Sequence, residues 1–259
     1  MNEGIDLEPI LMGFLVFARV GGLLMALPVT GSGSVPAIAR LAAALPLAAV
    51  LYPTVDGARA PSTIPELLVT GTLEVGVGVA MGFVVGLVTG ALSMASEVIG
   101  MKIGLSLGGM LDPITGTQGN PLGALAQLLA SGLFFGMDMH LACIRTLGES
   151  LITLPPGAIV APLAGGEILL NVASSVLVLG VRLAGPVVAF ALLVNLALMV
   201  VGRMAPGLQV FFSIGMSLTL MAGMVVLGAA MPAMIMMERD ALLGLLAPIR
   251  ALLQAVAGG

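Results

Sequence analysis

Long apolar runs separated by short polar breaks extend along most of the chain, and this pattern predicts membrane-spanning helices. The runs cover residues 10–27, 37–52, 67–98, 122–144, 168–200 and 208–237. The second run is short and contains Pro46, which favours a short or kinked helix, and Gly185 with Pro186 predicts a break or kink in the fifth. We therefore predict an all-α, polytopic membrane protein in which residues 1–259 form a single integral-membrane domain.

The longest interruption of this pattern is the stretch 97–121, a glycine-rich segment followed by a loop of Asp, Pro, Thr, Gln and Asn. A polar loop between two membrane-spanning helices must lie outside the hydrocarbon core, be buried within protein or line a water-filled cavity. The apolar pattern alone leaves these three possibilities open.

Glycine recurs at every fourth residue on both sides of position 97. The positions are Gly78, Gly82, Gly86 and Gly90, followed by Gly100 and Gly104. A spacing of four places neighbouring glycines on one helix face, where another backbone can approach closely. The spacing predicts a tightly packed helix interface, either within the chain or between subunits.

Several charged residues fall within or beside the apolar runs. They are Arg19, Glu74, Glu97, Lys102, Asp138, Arg145, Arg182 and Arg203. An unpaired charge at the bilayer centre costs at least ~2.5 kcal/mol, so each should be paired, hydrated or outside the bilayer. We predict buried charges at Glu97, Lys102, Asp138, Arg145 and Arg203, and we favour buried pairs that fix helix packing over a proton relay.

Composition narrows the class of protein further. Hydrophobic residues make up 59% of the chain and charged residues 8%, and the net charge of -4 leaves no basic patch for nucleic acid. With one cysteine, Cys143, and one histidine, His140, the chain offers little for a disulfide or a metal site. We predict no enzyme activity, no cofactor and no metal. Because Trp is absent and Tyr52 is alone, the chain lacks the usual interfacial aromatic rings, so we expect much of its surface to meet protein.

Four stretches together resemble the FliR family, the R component of the flagellar type III export apparatus, with counterparts in injectisomes. They are residues 19–53, residues 104–129, the set His140, Ser150 and Leu154 to Gly157, and residues 184–211. The second stretch carries the most recognisable element, Asp112 and Pro113 followed by Thr115, Gly116 and Gln118. The order and spacing of all four carry the resemblance, since each motif alone is weak.

The resemblance implies a protein built of helical hairpins that pack with homologous subunits in a helical export-gate assembly. It implies a structural, pore-forming subunit of the bacterial flagellar export gate, needed for flagellum assembly. Its partners would be the P, Q and B components, unfolded exported flagellar proteins and membrane lipid. Its location would be the bacterial inner membrane, as a multi-pass protein of the flagellar basal body.

In the same family, the loop after the first glycine-rich stretch contributes to closing the pore. The corresponding residues here are Gly108, Gly109, Met110, Leu111, Asp112, Pro113, Ile114, Thr115, Gly116, Thr117, Gln118, Gly119 and Asn120. Our hypothesis is that Gly100, Gly104 and Gly108 form a packing hinge and that residues 112–119 move.

An alternative from a different class is a stand-alone secondary transporter. In that interpretation the segment 97–121 is a broken helix at the bilayer midplane, and Glu97, Lys102 or Asp138 couples ion movement to transport. Uptake by the isolated protein would distinguish a transporter from an export-gate subunit.

Overall fold

The protein is almost entirely helical in the computed structural model, which describes residues 7–27, 35–55, 60–105, 120–158, 164–204 and 210–258. The helices are α1 (Glu8–Ala26), α2 (Ala37–Leu51), α3 (Ile64–Ile103), α4 (Pro121–Gly136), α5 (Met139–Thr153), α6 (Gly166–Met204), α7 (Val210–Leu243) and α8 (Leu246–Ala257). A single 3-10 turn, Tyr52–Thr54, follows α2, and the described residues contain no strand. The predicted all-α, polytopic fold is confirmed.

Five of the helical segments are long and apolar enough to cross a membrane, and a sixth span results if α4 and α5 are taken together. The run 122–144 is therefore not one straight helix, because α4 and α5 meet at a bend of 62°. Asp138 lies at this bend with a left-handed backbone, φ 57°. Such a conformation is unfavourable for a residue with a side chain and cannot continue a right-handed helix.

The fifth run behaves differently, since α6 continues through Gly185 and Pro186 for 39 residues. Proline removes one backbone hydrogen bond, and apolar helices tolerate it where neighbouring groups compensate. Of the two predicted alternatives, a break or a kink, the break is absent, because Pro186 lies inside one helix.

The residues group into two compact units. The first comprises 1–87, 134–174 and 242–259, and the second comprises 88–133 and 175–241. The first unit thus holds α1, α2, α5, α8 and the beginning of α3, while the second holds the end of α3 and most of α4, α6 and α7. That both act as a single export-gate domain stays a prediction.

The first unit is organised around a close contact between α1 and α3. A methyl group on Gly82 would lie 2.7 Å from the Cβ atom of Ala26, and one on Gly78 would lie 2.8 Å from the backbone nitrogen of Leu23. On the facing helix, a methyl group on Gly22 would lie 2.5 Å from the carbonyl oxygen of Val75. The two backbones can approach this closely only because these glycines lack side chains.

The glycine spacing does not produce one continuous interface, however. A methyl group on Gly90 would meet nothing within 4 Å, whereas one on Gly100 would overlap the side chain of Asn120. Gly104 has φ 88° and follows the last residue of α3, so it ends the helix in the left-handed conformation that glycine adopts easily. Glycines that share the four-residue spacing therefore have different structural roles.

Candidate functional site

The strongest polar cluster of the first unit is a buried ion pair between α1 and α3. Nε of Arg19 donates to Oε2 of Glu74 at 2.6 Å, and neither side chain is exposed to solvent. The close α1–α3 backbone contact brings the two together, because Gly22 and Gly78 each lie within four residues of one member of the pair. Two charges in an apolar interior persist only when each is paired and hydrogen-bonded.

Helix α5 and the turn after it complete this cluster. Nη1 of Arg19 donates to the carbonyl oxygen of Ser150 at 2.8 Å and to its Oγ at 3.3 Å. Oε1 of Glu74 accepts the backbone N–H of Gly157 at 2.9 Å, and Gly157 has a left-handed backbone, φ 85°. We call Arg19, Glu74, Ser150 and Gly157 the buried node; it joins α1, α3, α5 and the turn at 154–157.

The side chains of the node are suited to holding helices together rather than to catalysis. An arginine guanidinium stays protonated in proteins and cannot act as a general base. The hydroxyl of Ser150 donates to the carbonyl oxygen of Leu147 at 2.6 Å, so its proton is already committed. One donor, Nη2 of Arg19, is buried without a partner among the described residues.

Sequence reasoning identified the members of this node but not the node itself. The sequence shows Arg19 and Glu74 as charges within apolar runs, and Ser150 and Gly157 as residues of family-like motifs. The sequence feature that points to the node is the presence of a cation and an anion within apolar runs, because each of them requires a partner. Nothing local connects positions 19, 74, 150 and 157.

Arg40, which lies in the family-like stretch of residues 19–53, also has a structural role. Nε and Nη2 of Arg40 donate to the carbonyl oxygen of Val35 at 3.2 and 3.1 Å, and Nη1 donates to that of Met25 at 3.3 Å. Arg40 therefore ties the start of α2 to the end of α1.

Most of the predicted gate loop, residues 106–119, lies outside the described residues, but both of its flanks are described. Asn120 is buried, and its Nδ2 donates to the carbonyl oxygen of Ser96 on α3 at 2.8 Å. Its Oδ1 accepts the backbone N–H of Leu122 at 3.1 Å, which caps the start of α4 immediately before Pro121. Asn120 thus joins the end of α3 to the start of α4, against Gly100.

Further polar contacts lie along the same pair of helices. Oγ of Ser93 donates to Oε1 of Gln127 at 3.2 Å. A methyl group on Gly123 would lie 2.5 Å from Oε1 of Glu97, so this carboxylate lies against the first turn of α4. The positive end of the helix dipole favours an anion at that position.

The five residues predicted as buried charges are all exposed in the chain itself. Glu97, Lys102, Asp138, Arg145 and Arg203 lie on helix faces or ends that the chain does not cover. Asp138 immediately precedes α5, which carries Arg145, and among the described residues no salt bridge joins the two. Burial of these charges stays a prediction about contacts outside the chain.

His140 lies beside the bend between α4 and α5. Its ring centroid is 5.4 Å from that of Phe135, in a tilted arrangement, and its Nδ1 is buried without a hydrogen-bond partner among the described residues. Within the same residues, no group of three or more His, Cys, Asp or Glu side chains is arranged to hold a metal ion.

A profile described as "Bacterial export proteins, family 1" matches residues 10–244. The chain belongs to this family. The matched part includes the buried node and both flanks of the loop, and it ends just before α8.

Relatives named flagellar biosynthetic protein FliR are similar over most of the chain. The Caulobacter vibrioides protein is 30% identical over 242 residues, which cover 93% of this chain and 96% of the relative. The Escherichia coli protein is 32% identical over 221 residues, or 85% and 84% of the two chains. The Bacillus subtilis protein is 25% identical over 243 residues, or 93% of each.

Proposed function

We propose that this protein is a structural subunit of the bacterial flagellar type III export gate and is needed for flagellum assembly. The observation that carries the proposal is the family match over residues 10–244, together with relatives named for flagellar biosynthesis at nearly full length. The same match favours an export-apparatus component over a stand-alone secondary transporter.

The helix lengths support an assembly with other subunits. Helix α3 has 40 residues and α6 has 39, which corresponds to about 60 Å each at a rise of 1.5 Å per residue. The hydrocarbon of a bilayer is about 30 Å thick, so lipid covers only about half of such a helix when it stands upright. The remaining apolar surface requires protein, and we propose the P, Q and B components of the export gate as the proteins that cover it.

The exposed charges support the same proposal. Glu97 and Arg182 lie on apolar helices, are exposed in the chain and form no ion pair with another residue that the structure describes. A charged side chain facing hydrocarbon is costly, whereas a neighbouring subunit or a hydrated channel can accommodate it. We propose that the protein lies in the bacterial inner membrane, within the flagellar basal body, and that these charges face protein or water.

The loop 108–121 would help to close the channel until unfolded flagellar subunits pass. Its small and polar residues can move aside without leaving buried polar groups unpaired, and Asn120 holds the helices on either side of the loop together. A deletion of residues 112–119 should make the assembled channel leak ions. A deletion of residues 56–59, between α2 and α3, is the matched control, and equal permeability of the two assembled variants would contradict the gating role.

The whole function is tested by an in-frame deletion of the gene in its flagellated host. The deletion should abolish swimming and secretion of filament subunits, and expression of the intact gene should restore both. Normal secretion without the protein would refute the proposal. Reconstitution of the purified protein alone adds a second test, since solute uptake by it would instead indicate a transporter.

A further inference from the structure

The last helix, α8, packs within the first unit although it lies beyond the family-matched residues. Its apolar face, formed by Ile249, Leu252, Leu253 and Val256, is buried, and the helix contacts α5. A helix with such an apolar face can instead lie along a membrane interface. In the structure, its apolar face is occupied by the protein itself.

Two kinds of contact fix where α8 lies. The carboxylate of Glu149 on α5 accepts hydrogen bonds from Nε and Nη2 of Arg250, at 3.0 and 3.1 Å, in a forked ion pair. At the start of α6, a methyl group on Gly165 would overlap Leu252 and lie 3.5 Å from Val256. Helix α8 therefore touches the chain on both sides of the segment that follows α5.

That segment contains the turn through which α5 joins the buried node. Glu149 immediately precedes Ser150, whose carbonyl oxygen accepts Nη1 of Arg19. The turn then presents the N–H of Gly157 to Glu74. Both hydrogen bonds depend on α5 and its following turn staying in place against α1 and α3.

We propose that α8 is a C-terminal clasp that holds α5 and the turn at 154–157 in position for the buried node. The apolar face of α8 provides most of the attachment, because the Glu149–Arg250 pair is 48% and 55% exposed and screened by solvent. The clasp acts on the fold of the first unit and is independent of what the protein exports.

The test compares two adjacent substitutions on α8 in the full-length protein, purified in detergent. Leu252→Asp places a carboxylate in the buried face, whereas Ala251→Asp adds the same charge on the exposed face. Amide hydrogen exchange is followed in two peptides, one from α8 and one covering residues 150–158. Leu252→Met, which conserves volume, serves as the rescue variant.

We expect Leu252→Asp to speed exchange about tenfold or more in both peptides, as loss of ~1.4 kcal/mol of local protection would do. Ala251→Asp and Leu252→Met should leave both unchanged. If α8 exchanges rapidly while residues 150–158 remain protected, the clasp is refuted. If Leu252→Asp does not fold, Leu252→Ala replaces it. A smaller loss of exchange protection in both peptides would then support the clasp, whereas a loss of protection confined to α8 would refute it.

Discussion

The buried pair between Arg19 and Glu74 allows a quantitative prediction of stability. The substitution Arg19→Met removes the cation and leaves the Glu74 carboxylate with only the N–H of Gly157 among its observed partners. Removing one partner of a fully buried pair costs about 3–5 kcal/mol, because the other charge stays in the apolar interior without compensation. We expect the same cost for Glu74→Leu, which leaves the guanidinium with Ser150 alone.

The double variant separates this mechanism from simple loss of packing. Arg19→Met combined with Glu74→Leu leaves no buried charge, so its cost should be well below the sum of the two single costs. Glu74→Gln keeps the shape and part of the hydrogen bonding, and we expect an intermediate effect.

The buried thiol of Cys143 can report on unfolding in this experiment. Cys143 is the only cysteine, and it is buried on α5, the helix that carries Ser150. A thiol-reactive dye should therefore label the protein as it unfolds in denaturant, and the midpoint and slope of the transition together give the free energy of unfolding. Arg182→Met, at an exposed arginine of α6, is the control, with an expected change within ~0.5 kcal/mol. Equal midpoints for Arg19→Met and Arg182→Met, or additive costs in the double variant, would refute the reasoning.

Three further predictions use the same unfolding assay. Gly78→Leu should destabilise the protein by about 1–3 kcal/mol by forcing α1 and α3 apart, whereas Gly90→Leu, in open space, should cost far less, and equal costs would contradict the close contact. Asn120→Ala should cost about 0.5–2 kcal/mol through loss of its cap and its bond to α3, compared with little for the exposed Asn171→Ala. Arg250→Ala should cost no more than ~1 kcal/mol and its effect should shrink at high salt, so a large, salt-independent loss would show that the pair matters more than its exposure indicates.

Asn120 shows how a residue's part in the site depends on structure. In the sequence it is the last residue of a polar loop, and the resemblance groups it with the segment that closes the pore. In the structure it is a buried cap that bonds to both α3 and α4. The amide side chain of Asn120 can form the same hydrogen bonds whether the residue moves with the loop or anchors the helices. Only its surroundings show that it is an anchor.

The fold class, the approximate spans and the family resemblance can all be read from the sequence. Hydropathy is a local property, and a run of apolar residues predicts a membrane helix whatever the rest of the chain does. The order of motifs is likewise readable without coordinates. The same local pattern also showed that Arg19 and Glu74 needed partners.

The partners of these two charges depend on how distant helices pack against each other. Arg19 and Glu74 are 55 positions apart, and they meet because glycines let α1 and α3 approach closely. Glu97 and Arg145 also lie within or beside apolar runs, yet each is exposed in the chain. Position within an apolar run shows that a charge is costly in lipid, but the packing of helices from distant parts of the chain determines whether the chain itself buries it.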